Sequence, residues 1–133
     1  MVMSVDYSKG SAVLSASSRR DALGLAFRYT LHTLQRNERV TICIRGRSMR
    51  PTLAEGDQVT ITPVPMATVS VGQMVAYRIC DEHITIHRVV EVIDGNSAQG
   101  PTFRTKGDSN PYVDPYAIGR REFLGVATRG TPE

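Results

Sequence analysis

Between Val40 and Thr128 the chain is cut into short β-forming runs by turn residues, and this punctuation limits the fold more than any other feature. Val40, Ile42 and Ile44 alternate with Arg39, Thr41, Cys43 and Arg45, the period-two pattern of a half-buried strand. Further runs cover Gln58 to Pro63, Gln73 to Ile79, His83 to Ile93 and Arg121 to Thr128. They are separated by Glu55-Gly56-Asp57, Val71-Gly72, Asp81-Glu82, Asp94-Gly95-Asn96 and Gly107-Asp108-Ser109-Asn110. Strands so short and so closely spaced predict a compact, mostly antiparallel β-domain. Ahead of them, Leu23, Phe27, Leu31 and Leu34 recur at helical spacing, with Arg20, Arg28 and Gln35 largely off that face. Gly24 lowers the helix propensity and Asn37 offers a stop. Residues 1 to 17, rich in Ser and Gly, read as loose. The expected organisation is mainly β: a loose N-terminus plus amphipathic helix over 1–37, then a β-domain over 38–133.

A length of 133 residues fits one domain, and a 41% hydrophobic share argues against disorder. Cys43 and Cys80 form neither a disulfide framework nor a closely spaced zinc pair, and both read as buried, reduced small hydrophobes. The net charge of +3 rests mostly on scattered arginines. Without a basic run or an aromatic stacking pattern, no nucleic-acid partner is expected. The most apolar N-terminal stretch, Ala22 to Leu34, is too short to span a membrane and carries Arg28. No secretory signal is visible. These features predict a cytoplasmic or peripheral-membrane protein.

Three stretches carry chemistry. In Gly46-Arg47-Ser48-Met49-Arg50-Pro51-Thr52-Leu53, followed by Gly56-Asp57, a serine leaves an apolar strand and enters a Gly- and Pro-restricted turn. Such a turn fixes a hydroxyl beside backbone N–H groups, which attack and oxyanion stabilisation both require. In Ile84-Thr85-Ile86-His87-Arg88-Val89-Val90 a histidine sits mid-strand. Serine is a poor nucleophile without a base, and histidine is the usual one. Thr105-Lys106-Gly107-Asp108-Ser109-Asn110-Pro111, continuing to Val113-Asp114-Pro115, offers two aspartates. Either could orient His87 and stabilise its imidazolium, or simply cap a turn. Singly, each stretch is an ordinary loop or strand.

Together, in this order and spacing, they resemble the conserved boxes of the signal peptidase I family and the related auto-cleaving repressor peptidases. Gly-x-Ser-Met-x-Pro-Thr-Leu with Gly-Asp is similar to the nucleophile box, and Thr-Lys-Gly-Asp-x-Asn to the last box. Bacterial signal peptidases and the repressors use a lysine base; His87-Arg88-Val89-Val90 instead resembles the endoplasmic-reticulum and archaeal type. The resemblance implies a serine endopeptidase of the signal peptidase fold. Ser48 would be nucleophile and His87 base, with Asp114 orienting His87 and Asp108 structural. Gly46, Arg47, Met49 and Pro51 would make the oxyanion and substrate loop. Relatives often carry a hydroxyl donor where this chain has Gly46, and a membrane anchor where it has the stretch 19–36. Lys106 matches a non-catalytic basic position.

The implied partner is an extended peptide or a leader or precursor segment, and no cofactor is called for. His83 and His87, four apart on a strand, lie ~13 Å apart, too far for one metal ion. Two alternatives come from other classes: a self-processing regulatory module of the repressor kind, and a catalytically silent peptide-binding domain. The N-terminal segment is short for a helix-turn-helix domain, and no Ala-Gly or Cys-Gly cleavage site precedes the boxes. The apolar stripe over 19–36 either packs as extra core or docks on a membrane surface or partner, helped by Arg19, Arg20 and Arg28.

Overall fold

The computed structural model describes residues 3–5, 19–79, 83–94 and 100–131. Among them one α-helix, α1 (Arg19–Gln35), precedes most of the strands. The strands are β1 (Met3–Val5), β2 (Val40–Ile44), β3 (Gln58–Thr62), β4 (Met74–Tyr77), β5 (Thr85–Ile93), β6 (Thr102–Lys106), β7 (Ala117–Ile118) and β8 (Phe123–Arg129). They form one sheet in the order β1-β2-β3-β8-β4-β5-β6-β7. Every neighbouring pair is antiparallel. The protein is therefore mainly antiparallel β with one N-terminal helix. The last strand, β8, inserts between β3 and β4 and joins the two halves of the sheet.

Alternation along the strands sends side chains into two apolar clusters. Ile42, Ile44, Val59, Ile61, Ala76, Ile86 and Ala127 belong to the first, which Met49, Leu53, Ala26 and Leu34 also enter. Val75, Tyr77, Val89, Phe103 and Ile118 belong to the second. Successive residues of β4 point to opposite faces, so Ala76 faces one cluster while Val75 and Tyr77 face the other. β5 likewise directs Ile86 to the first cluster and Val89 to the second.

The sequence reading needs correction in several places. Part of the stretch read as loose, Met3–Val5, is a strand paired with Ile42–Ile44 of β2. The β6 and β7 strands were not anticipated. In β6, Phe103 and Thr105 are buried between half-buried Thr102, Arg104 and Lys106, but the adjoining Gly-Asp-Ser-Asn turn dominates the local signal. Cys43 is half-buried rather than buried; Cys80, Asp81, Glu82 and the Gly95-Asn96 turn lie outside the described residues.

The helix buries a different line from the one its leucines suggest. Ala26, Thr30 and Leu34 are buried, Phe27 and Leu31 half-buried, and the Leu23 side chain lies outside the described residues. Small side chains at 26 and 30 let the helix approach the sheet closely, and they outrank the bulkier stripe. Asn37 sits just past the helix at φ 60, a left-handed C-terminal cap position. Because Leu34 reaches the core and Leu31 does not, Leu34→Ala should cost about 2–4 kcal/mol in denaturant unfolding. Leu31→Ala should cost roughly 1 kcal/mol or less; equal losses would contradict this packing.

Candidate active site

The Ser48 loop is anchored before it is functional. Its base closes on β2, where Ile44 N–H donates to Asp57 O at 2.9 Å and Gly56 N–H to Ile44 O at 2.9 Å. Asp57 ties its own turn, accepting the Ala54 N–H at 2.9 Å on Oδ2. Gly46 has φ 93, a left-handed conformation that side chains rarely adopt. This accounts for glycine at position 46. Arg50 N–H donates to Arg47 O at 3.1 Å, closing a β-turn with Ser48 at its second position and Met49 at its third. Met49 and Leu53 are fully buried. Each contributes roughly 1.5–3 kcal/mol by burial, which pulls the turn onto the core and leaves Ser48 half-exposed.

The third box grips this turn. Ser109 N–H donates to Ser48 O at 2.9 Å, and the Ser109 hydroxyl donates to Arg47 O at 2.7 Å. Gly107 is required by proximity: a β-carbon there would lie 2.7 Å from Ser48 O and 2.6 Å from Asn110 Nδ2. Asp108 receives Arg88 through a two-pronged ion pair, Nε to Oδ1 at 2.8 Å and Nη2 to Oδ2 at 2.7 Å. It also accepts the Thr52 hydroxyl. The guanidinium holds the Asp108 carboxyl below its ordinary range, and Asp108 in turn raises Arg88. Arg88 Nη1 further donates to Gly72 O at 2.7 Å. Asp108 thus links the Ser48 loop to β5.

His87, on β5, faces the second cluster between Ser48 and Asp114. Nε2 lies 3.1 Å from Ser48 Oγ, and Nδ1 lies 2.6 Å from Asp114 Oδ2. The imidazole is 5% exposed and Asp114 is 9% exposed. With Nδ1–H donating to the carboxylate, Nε2 keeps a lone pair directed at the serine hydroxyl. Burial lowers the His87 pKa, opposed by its hydrogen bond to and the negative charge of Asp114. The neutral imidazole is therefore the dominant form at neutral pH.

Asp114 is itself held by groups that the sequence did not flag. Thr105 Oγ1 donates to Asp114 Oδ2 at 2.8 Å, Tyr77 OH donates to it at 3.2 Å, and Asp114 N–H donates to Thr105 O at 2.8 Å. Tyr77 spends its proton on Asp114, so at 2.9 Å the Tyr116 hydroxyl serves as donor to it. Burial raises the pKa of both phenols, which stay neutral. Among the described residues no buried side-chain nitrogen or oxygen lacks a hydrogen-bond partner. Thr105 and Arg88 adjoin recognised boxes and could have been found from them. Tyr77 carried no sequence signal beyond strand alternation.

Of the remaining candidates, Asp108 lies against Arg88 and not His87, while Arg47 and Pro51 are exposed on the loop around Ser48. Lys106 pairs with Arg88 across the β5–β6 ladder. Strand alternation puts it on the side away from His87 and Thr105. His83 is exposed and lies ahead of β5.

A buried carboxylate, a neutral imidazole and a turn-held serine stand in one hydrogen-bonded line. A family model described as Peptidase S24-like matches residues 3–99, well over half of the chain, and the chain belongs to this family. The matched stretch contains Ser48 and His87; Asp108 and Asp114 lie beyond it. No curated protein and no solved structure matches the chain. Among the described residues no helix is long and apolar enough to cross a membrane.

The grip of the third box on the serine turn is testable without any substrate. Gly107→Ala must push against the Ser48 carbonyl and Asn110, and should destabilise the fold by about 1–3 kcal/mol. The same variant should shift the His87 imidazole resonances in an NMR spectrum. Unchanged stability and unchanged resonances would contradict the contact.

Proposed function

We propose that this chain is a serine endopeptidase that cleaves an extended peptide, a leader or precursor segment, with Ser48 as nucleophile and His87 as general base. The observation that carries the reading is the 3.1 Å approach of His87 Nε2 to Ser48 Oγ, with His87 Nδ1 bonded to Asp114. In the acylation step Ser48 Oγ attacks the scissile carbonyl carbon while its proton passes to Nε2. The resulting imidazolium is stabilised by the hydrogen bond from its Nδ1 to Asp114. The Ser48 backbone N–H supports the oxyanion. Collapse breaks the C–N bond, the His87 proton leaves with the amine, and water activated by the same imidazole releases the acyl group.

The neutral state of His87 supports this assignment, because a base must be unprotonated before it can accept. Asp108 acts structurally, through Arg88 and Thr52. The histidine base aligns the chain with the endoplasmic-reticulum and archaeal-type signal peptidases and sets it apart from lysine-based relatives. β6 pairs with β5 only from Arg88 onward, which leaves the Thr85–His87 edge opposite β4 outside that ladder. An extended peptide can add there as a further strand, its carbonyls running past Ser48.

Ser48→Ala should reduce peptide cleavage by about 10⁴-fold or more with the fold unchanged. Wild-type kcat/KM should fall on the acid side with a midpoint below about 6.5, because burial lowers His87 from its ordinary value. The sign is that of a base: activity is present above the folded-state pKa and lost as pH drops through it. Asp114→Asn removes a partner that favours the charged imidazole, so it should cost roughly 10²–10⁴ in rate. Retained cleavage in Ser48→Ala, or an acid limb centred well above 6.5, would contradict the assignment.

A further inference from the structure

We infer that the peptide cleaved at Ser48 carries acidic residues beside its scissile bond, held by Arg47 and Arg50. The inference rests on Ser48 being the nucleophile. The β-turn closed by Arg50 N–H and Arg47 O places these two residues at its first and fourth positions, where the backbone brings them side by side. Ser48 stands between them. Met49, the remaining turn residue, is fully buried, so the turn is held down while both arginines are exposed.

Neither guanidinium has an ion-pair or hydrogen-bond partner among the described residues. The carboxylates closest to the loop in sequence or contact are engaged elsewhere. Glu55 accepts the Gly46 N–H, and Asp57 accepts the Ala54 N–H with Arg129 at 3.9 Å. Asp108 is closed by Arg88 and Thr52. Two guanidinium groups with no ion pair among the described residues therefore flank Ser48. Arginine pairs readily with a carboxylate through its planar fork of N–H donors. An acidic peptide is favoured over an anionic lipid surface because the charges sit on the turn that holds the attacking hydroxyl. A strand-like substrate reaching Ser48 comes to the turn that carries both arginines.

The test compares decapeptides carrying Glu, Gln or Lys at each position around one cleavage site. Wild-type kcat/KM should favour Glu over Lys by about 5- to 30-fold at one or more positions nearest the cleaved bond, with the preference shrinking at high salt. In R47E/R50E the Glu-to-Lys ratio should invert, and in R47Q/R50Q, which adds no new charge, it should fall toward one. A wild-type ratio near one at every position, or a ratio unmoved by either double variant, overturns the inference. Binding of phosphatidylserine vesicles that depends on these arginines, together with charge-indifferent cleavage, assigns them to a membrane and overturns it as well. If no peptide is cleaved and a serine-reactive phosphonate leaves Ser48 unlabelled, the nucleophile assignment itself has failed, and the inference falls with it.

Discussion

The carboxylate of Asp108 holds three separate pieces of chain together, and the meeting of Ser48 with His87 depends on it. Arg88 comes from β5, Thr52 from the nucleophile loop, and Asp108 from the turn after β6. Arg88 neighbours His87 in sequence, and Thr52 lies one turn beyond Ser48. Fixing Arg88 and Thr52 to one carboxylate therefore fixes Ser48 and His87 relative to each other. The ion pair is charge-assisted, two-pronged and partly buried, a geometry that adds strength and direction. The backbone bonds from Ser109 to Ser48 and its neighbour complete the clamp. The loop is thereby positioned by the sheet, which is the preorganisation that the proposed nucleophile would need.

On the other side of His87 the chemistry is different. Asp114 is buried among Tyr77, Thr105 and the imidazole, and two hydroxyls donate to the same oxygen that receives His87. Burial drives the imidazole toward neutrality, while the hydrogen bond to Asp114 and its charge oppose that shift. One aspartate serves architecture and the other electrostatics. Their environments separate the roles: Asp108 neutralises an arginine, whereas Asp114 has only hydrogen-bond donors and a neutral ring. Both acids belong to the segment that follows β5, which explains why that segment must return to the serine turn.

Much of this arrangement was legible in the chain, and the reasons are local. Alternation from Val40 to Ile44 and the Gly-Asp turn gave β2 and the loop base, because strand period and turn chemistry act over a few residues. Ser48, His87 and the two aspartates stood in recognisable boxes. The distances joining them come from the sheet order, in which β8 separates β3 from β4, and no local pattern encodes it. The helix stripe is legible only in part: Leu34 reaches the core and Phe27 packs against it, but Ala26 and Thr30 are buried through close approach while Leu31 is only half-buried. Met3–Val5 becomes a strand because β2 offers it an edge. Tyr77 escaped notice because a strand tyrosine is ordinarily core, and its hydroxyl gains meaning only from Asp114, which is distant in sequence.

The central claim is that the Ser48 hydroxyl is activated by His87. A fluorophosphonate tests it directly, since it bonds covalently to an activated serine and needs no knowledge of the natural substrate. Peptide mapping by mass spectrometry after labelling of the full chain should find the adduct on Ser48. The labelling rate should collapse in a folded His87→Ala variant and fall with acid below the His87 pKa. A folded wild-type protein that stays unlabelled at Ser48, or that labels as fast without His87, would contradict the account.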